Sequence, residues 1–78
     1  MQKGKNMFGE LLKKYRKIAD LTLEELAQRV NERAGTTYTK ATVRSWEKGN
    51  NPKVVIIQII ADILDIPVQY LFDDSDKV

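Results

Sequence analysis

The apolar segment VVIIQIIADILDI, residues 54–66, constrains the fold of this chain more than any other stretch. Its many β-branched residues are typical of a buried strand. However, the segment is longer than an ordinary strand, and the turn sequence GNNP stands directly before it. We therefore predict a helix that is capped by Asn51 and has Pro52 at its first position.

Two apolar stripes run along this predicted helix. At about 100° per residue, one side collects the residues that a single core would bury, namely Val54, Ile57, Ile60, Ala61 and Leu64. The roughly opposite side, which would be polar in a solvated helix, collects Val55, Ile56, Ile59 and Ile63. A continuous second stripe is typical of an interaction surface. It is covered either by a fifth helix or, as we expect, by its own copy in a two-fold homodimer.

The chain has 78 residues and contains neither cysteine nor histidine. This length suits one domain over residues 1–78, with a core at 6–72 between a flexible basic N-terminus and a flexible acidic tail. Disulfides, thiolate metal sites, cysteine nucleophiles and histidine bases are excluded, and we expect no metal and no cofactor. No apolar run has the length of a membrane span and no secretory signal is present, so we expect a cytoplasmic protein.

Charge divides unevenly along the chain. Residues 1–53 hold 12 Lys or Arg against 6 Asp or Glu, a balance of +6, whereas residues 54–78 hold 1 against 5, a balance of −4. This division predicts that one face binds a polyanion and that another face serves a different purpose.

Two helices are predicted before residue 35. The first spans Asn6–Ala19 and has a buried face formed by Phe8, Leu11, Leu12, Tyr15, Ile18 and Ala19. We interpret its opposite side as a mostly solvated basic face, formed by Lys13, Lys14, Arg16 and Lys17. The second helix begins at a capping box of Thr22 and Glu25 and ends near Gly35. Its buried stripe consists of Leu23, Leu26, Ala27 and Val30.

A third helix is predicted from an N-cap at Thr39 through Lys48, with Val43 and Trp46 pointing inward. Its outward residues are small, polar or basic, as entry into a DNA major groove about 12 Å wide requires. Lys40 and Arg44 share one face because they are four residues apart, and both can donate to guanine. The alternative is an ordinary amphipathic helix with a solvated outer face.

Residues 8–72 resemble the helix-turn-helix domain of the Cro and cI repressor family, the Xre-type regulators. The resemblance lies in LTLEELAQRV, in TKATVRSWEKGNNP and in VVIIQIIADILDIPVQYLF. It implies a five-helix all-α fold and sequence-specific binding of double-stranded DNA, usually as a homodimer on a near-palindromic operator. It places Ala27, Val43 and Trp46 in the core of the motif. The base-reading positions that it implies are Lys40, Ala41, Arg44 and Ser45, and the positions near phosphates are Thr39, Thr42, Lys48 and Asn50.

The chain departs from the family pattern in two places. Leu23 stands where the family usually has a phosphate-contacting glutamine, so Thr22 or the first N–H groups of helix two must serve instead. In addition, residues 31–37 stand where the family commonly has one residue, which predicts an extended loop between helices two and three. That loop is either a tolerated surface insertion or an added phosphate-contacting element, whose contacts would come from Arg33, Thr36, Thr37 or Tyr38.

The leading functional interpretation is a transcriptional regulator, of the phage or mobile-element repressor type, with DNA as partner and neither a membrane nor a small-molecule substrate. The alternative is a protein-interaction module such as an antitoxin that binds its toxin through helix four or the acidic tail. An enzyme is the weakest interpretation, because the carboxylates scatter over helix exteriors and form no constellation with catalytic roles.

Overall fold

The computed structural model describes residues 7–72, and that part of the chain is helical with no strand. This part contains four α-helices: α1 (Met7–Ile18), α2 (Leu23–Ala34), α3 (Lys40–Glu47) and α4 (Val54–Leu64). A 3-10 helix, Val68–Leu71, follows α4. The all-α prediction is therefore confirmed. The expected flexible termini, 1–5 and 73–78, lie outside the described residues, and so does Asn6, the predicted first residue of the first helix.

The predicted fifth helix is a single 3-10 turn and not an α-helix. Pro67, which has no N–H to donate, stands in extended conformation directly before it. The N–H of Tyr70 donates to the carbonyl of Pro67 at 3.0 Å, the three-residue spacing of a 3-10 helix. Leu71 is completely buried, so this turn closes one end of the core.

The core receives side chains from all of these elements. Its fully buried large residues are Leu12, Leu26, Val30, Val43, Ile60 and Leu71.

The end of α1 differs from the prediction. We expected Ile18 and Ala19 to be buried, but both are exposed, and Ile18 is 68% exposed. Ile18 is the last residue of α1, and Asp20 takes a left-handed conformation with φ of 63° shortly after it.

The second helix begins at the predicted capping box and ends at the predicted Gly35. Thr22 accepts a hydrogen bond from the N–H of Glu25, and the Glu25 carboxylate accepts one from the N–H of Thr22, which confirms the capping box. Gly35 ends α2 in a left-handed conformation, φ 70°. Residues 31–34, which we had assigned to the extended loop, form the last turn of α2. The connection to α3 is therefore only residues 35–39, and the prediction of a long loop from residue 31 was wrong.

The side chain of Asn31 fixes this short connection. Its Oδ1 accepts hydrogen bonds from the N–H of Tyr38 and from the hydroxyl of Thr36, each at 2.8 Å. Its Nδ2 donates to the carbonyl of Tyr38 at 2.9 Å. Because one amide satisfies both main-chain groups of Tyr38, the connection is held against the end of α2.

The start of α4 also differs from the prediction. The helix begins at Val54, its N-cap is Lys53, and no side chain among the described residues caps it. Asn51 is therefore not the cap, and Pro52 is not the first helical residue. The backbone of Lys53 is extended, with ψ of 154°, and its carbonyl accepts from the N–H groups of Ile56 and Ile57. The helix consequently starts two residues after the proline.

The apolar residues of α4 divide differently from the two predicted stripes. The buried face consists of Ile56, Ile57, Ile60, Ala61 and Leu64. It is wide because α4 is covered by α2 and by the 3-10 helix together. Ile56 is thus a core residue, 4% exposed, and our assignment of it to the dimer interface was wrong. Val54, expected in the core, is 61% exposed.

Candidate nucleic-acid interface

The outward surface of α3 carries three basic side chains in a row. Lys40, Arg44 and Lys48 follow one another at four-residue spacing, which places them on one side of the helix, and all three are exposed. Within residues 7–72, none of these three side chains forms an ion pair or a hydrogen bond. Their charges therefore remain available to an external anion.

The four residues predicted to read bases lie together on this surface. Lys40, Ala41 and Arg44 are exposed, while Ser45 is half-buried at its edge. Ala41 presents only a methyl group, so the backbone of α3 can approach a base edge closely at that point. We name these four residues, Lys40, Ala41, Arg44 and Ser45, the reading face.

The start of α3 is fixed by two threonines. Thr39 is the N-cap, and its hydroxyl accepts from the N–H of Thr42 at 3.4 Å. The two hydroxyl oxygens are themselves 3.4 Å apart. Thr39 is exposed and Thr42 is half-buried, so both hydroxyls stand beside the reading face at the end of the helix that attracts anions.

Aromatic packing supports the opposite side of α3. Val43 and Trp46 are buried, as predicted. The ring of Tyr38 meets Trp46 edge-on, with 5.0 Å between ring centroids. Since Asn31 holds the main chain of Tyr38, the connection before α3 and the back of α3 form one packed unit.

An ion pair that the sequence did not reveal anchors the end of α3 to α1. The Nε of Arg16 donates to Oε2 of Glu47 at 2.6 Å, and a second guanidinium nitrogen donates to Oε1 at 3.3 Å. The third nitrogen donates to the carbonyl of Leu21 at 2.8 Å. Arg16 is only 8% exposed, so its assignment to a solvated basic face was wrong. A carboxylate from another helix compensates its charge, which permits burial.

Gly9 allows this close approach of α1 and α3. A Cβ atom at Gly9 would lie 2.5 Å from the carbonyl oxygen of Glu47, well inside any normal contact. The glycine is therefore required by space, and it lets α1 cross the end of α3 at backbone distance.

The remaining residues that we expected near phosphates differ in whether their side chains are already engaged within the protein. Thr37, Lys48 and Asn50 are exposed. Asn50 donates through Nδ2 to the hydroxyl of Ser45 at 2.7 Å, so it is tied to the reading face. The guanidinium of Arg33 is directed to α4, where it pairs with Asp62 at 2.5 Å.

The start of α2 is less suited to phosphate than expected. The hydroxyl of Thr22 and its N–H are both engaged in the capping box, and Glu24 and Glu25 bring two carboxylates to the first turn. These negative charges oppose the attraction that a helix N-terminus exerts on an anion. Leu23 packs against the core and adds no polar group.

A second exposed surface lies on α4. Val55 is 55% exposed, and one and two turns further Ile59 and Ile63 are half-buried. We call these three residues the α4 stripe, and they are the part of the predicted interface that remains after Ile56 is excluded.

None of the helices described between residues 7 and 72 could span a bilayer. The same residues contain no cluster of acidic side chains that could hold a metal ion.

Comparison with known proteins agrees with this arrangement. The model of the family described as helix-turn-helix matches residues 12–71, which is 60 of the 78 residues. Searches of curated proteins and of solved structures gave no match. The family match spans both helices of the motif, the reading face and the α4 stripe. The chain therefore belongs to the Cro/cI-type helix-turn-helix family, a family of DNA-binding transcription regulators and not of enzymes.

Proposed function

We propose that this chain is a sequence-specific repressor of the phage or mobile-element type, which binds a near-palindromic operator as a homodimer and inserts α3 into the major groove. Arg44 and Lys40 read guanine through its O6 and N7 acceptors, and Ala41 leaves room for the base edge. Ser45 contributes a hydroxyl at the border of the reading face.

The observation that carries this proposal is the contrast between the two sides of α3. On one side, Lys40, Arg44 and Lys48 are exposed without a partner in the described part of the chain. On the other side, Trp46 is buried and Glu47 forms an ion pair with Arg16. The inner side of α3 is packed against the core, and the positive charges on its exposed side have no counter-ion among the described residues. A helix with these two properties is preorganised to bind DNA.

Phosphate contacts come mainly from groups that flank the reading face. Thr39 and Thr42 stand at the start of α3, Lys48 at its end, and Thr37 on the connection before it. We leave Arg33 out of this set because it is paired with Asp62 on α4. Thr22 is left out as well, because its polar groups serve the capping box and two glutamates adjoin it.

The α4 stripe is proposed as the homodimer contact. Val55, Ile59 and Ile63 form one apolar row on a helix whose opposite side is already in the core. Pairing this row with its own copy removes it from water under two-fold symmetry. Two copies of α3 would then face one side of the duplex about 34 Å apart, the separation of successive major grooves.

Selection of bound duplexes from a random pool tests this proposal. We expect enrichment of two inverted half-sites whose centres are about 10 base pairs apart, and binding that weakens steeply between about 50 and 200 mM salt. Recovery of random sequence from the wild-type protein would overturn sequence-specific binding. Recovery of a single half-site would overturn the dimer alone.

The antitoxin alternative has one observation in its favour. The α4 stripe is an apolar surface on a helix that ends at the exposed, acidic Asp65, which suits a basic protein partner as well as a second copy. Purification of the tagged chain from its native host separates the two. A stoichiometric second polypeptide that masks Val55 from chemical labelling would favour the antitoxin interpretation.

A further inference from the structure

The hydroxyl of Ser45 is held by a side chain outside α3. Asn50 donates through Nδ2 to the Ser45 oxygen at 2.7 Å, and its backbone N–H donates to the Ser45 carbonyl at 3.1 Å. Two hydrogen bonds therefore join the same pair of residues. The main-chain bond belongs to the turn that ends α3, and it positions Asn50 so that its amide reaches back onto the reading face.

This contact determines which hydrogen-bonding role Ser45 can offer to a ligand. A serine hydroxyl has one hydrogen to donate and two lone pairs that accept. Because the Asn50 amide already donates to the oxygen, the hydroxyl hydrogen is directed elsewhere. Within residues 7–72 the Ser45 hydroxyl donates to no protein acceptor, not even to the carbonyl one turn earlier in its own helix. Its hydrogen is therefore free to point outward.

We propose that Asn50 is a positioning residue that makes Ser45 a hydrogen-bond donor toward DNA, and that Ser45 thereby discriminates against cytosine. In the major groove, guanine offers O6 and N7, adenine offers N7 and thymine offers O4 as acceptors, whereas cytosine presents only its N4 amino donor. Because the Asn50 amide occupies one of the two lone pairs, the hydroxyl hydrogen serves the first three bases, whereas cytosine depends on the single lone pair that remains. This inference rests on the proposed function, since it assumes that α3 enters the groove.

The test compares base preferences of matched variants by selection from random duplexes. Ser45→Ala first identifies the operator position that Ser45 reads, because the preference at that position disappears. The wild type should disfavour cytosine there by about three- to tenfold, the effect of one neutral hydrogen bond. Asn50→Ala, which frees the hydroxyl to rotate, should reduce this preference.

Asn50→Asp gives the sharpest prediction. A carboxylate can only accept, so it would draw the Ser45 hydrogen inward and leave lone pairs facing the groove. Cytosine should then become the favoured base at that position. Asn51→Asp is the matched control, because Asn51 is exposed, has no hydrogen bond within the described residues and adds the same negative charge one residue further along. It should weaken overall affinity without changing base preference.

Three outcomes would overturn the inference. One is a Ser45→Ala variant that keeps every preference of the wild type. Another is an Asn50→Asp variant, folded by circular dichroism, whose preferences match those of Asn51→Asp. If Asn50→Asp does not fold, the wild type is titrated with four operators that differ only in the base at the position that Ser45 reads. An affinity for the cytosine operator equal to that for the other three refutes the inference. A wild type that selects no sequence at all would overturn the proposed function itself, and this inference with it.

Discussion

Arg16 of α1 and Glu47 of α3 meet in the interior as a two-pronged ion pair, with 2.6 Å between Nε and Oε2. The side chains are 10% and 8% exposed, so water compensates little of either charge. Glu47 is the residue directly after Trp46 and belongs to the last turn of α3. The pair therefore ties the last turn of the helix that carries the reading face to α1, thirty-one residues away in sequence.

Removal of one partner of this pair should destabilise the protein strongly. Glu47→Leu leaves a buried guanidinium without its counter-ion, and we expect a loss of about 3–5 kcal/mol in the free energy of unfolding. Urea denaturation followed by the fluorescence of Trp46, the only tryptophan, measures it. The double variant Arg16→Met, Glu47→Leu should lose less than the sum of the single changes. A Glu47→Leu protein within 1 kcal/mol of wild type would contradict the role that we assign to the pair.

Gly9 and Gly35 should respond to alanine for different reasons. A Cβ at Gly9 meets the Glu47 backbone at 2.5 Å, so Gly9→Ala forces α1 and α3 apart, and we expect a loss of about 1–3 kcal/mol. A Cβ at Gly35 meets nothing within 4 Å, and its penalty of about 1 kcal/mol comes only from φ of 70°. Gly9→Ala should also weaken DNA binding more than Gly35→Ala at a temperature where both are folded. Equal stability of Gly9→Ala and wild type in thermal denaturation would refute the close approach.

Local sequence rules predicted some of these features because their partners are near in the chain. The capping box needs only Thr22 and Glu25, three residues apart, and the inward position of Val43 and Trp46 follows from helical periodicity. The reading face followed from the same periodicity together with the family resemblance.

Other features could not be predicted because they depend on distant partners. Nothing near Arg16 in the sequence distinguishes it from Lys13 or Lys17, since its carboxylate lies on another helix. Periodicity predicted which side of α4 is buried but not how wide the buried face is. For that reason we predicted that Ile56 lies at the dimer interface and not in the core. The prediction of an extended loop from residue 31 failed because Asn31 holds Tyr38, seven residues onward, through its side chain.

The connection between α2 and α3 should be sensitive to Asn31 and insensitive to Thr37. Asn31→Ala removes three hydrogen bonds and leaves the main-chain groups of Tyr38 unpaired, so we expect a loss of about 2–3 kcal/mol. Thr37→Ala, at an exposed residue of the same connection, should stay within about 0.5 kcal/mol of wild type. Chemical denaturation measures both. If the two variants were equally stable, the side chain of Asn31 would not hold the connection, and the connection would be a tolerated surface insertion.

The α4 stripe should control oligomeric state. Val55→Lys places a charge on the proposed contact at a residue that is already 55% exposed, so the monomer should fold and the dimer should not form. Val54→Lys is the matched control, because Val54 is 61% exposed and projects about 100° away from Val55 around the helix. Analytical ultracentrifugation should show a monomer for Val55→Lys and a dimer for Val54→Lys. A wild-type protein that remains monomeric at high micromolar concentration would exclude this interface.

Discrimination between operator and random duplex by Arg44→Ala, measured by fluorescence anisotropy, tests most directly whether α3 reads the bases. Arg44 is exposed on the reading face and has no partner among residues 7–72, so its loss should leave the fold intact. Discrimination should fall by about 1–3 kcal/mol, the contribution of a bidentate arginine-to-guanine contact. Lys17→Ala, an equal charge change on the exposed side of α1, should lower both affinities alike and leave discrimination unchanged. An Arg44→Ala protein that discriminates as well as wild type would show that α3 is not the reading helix.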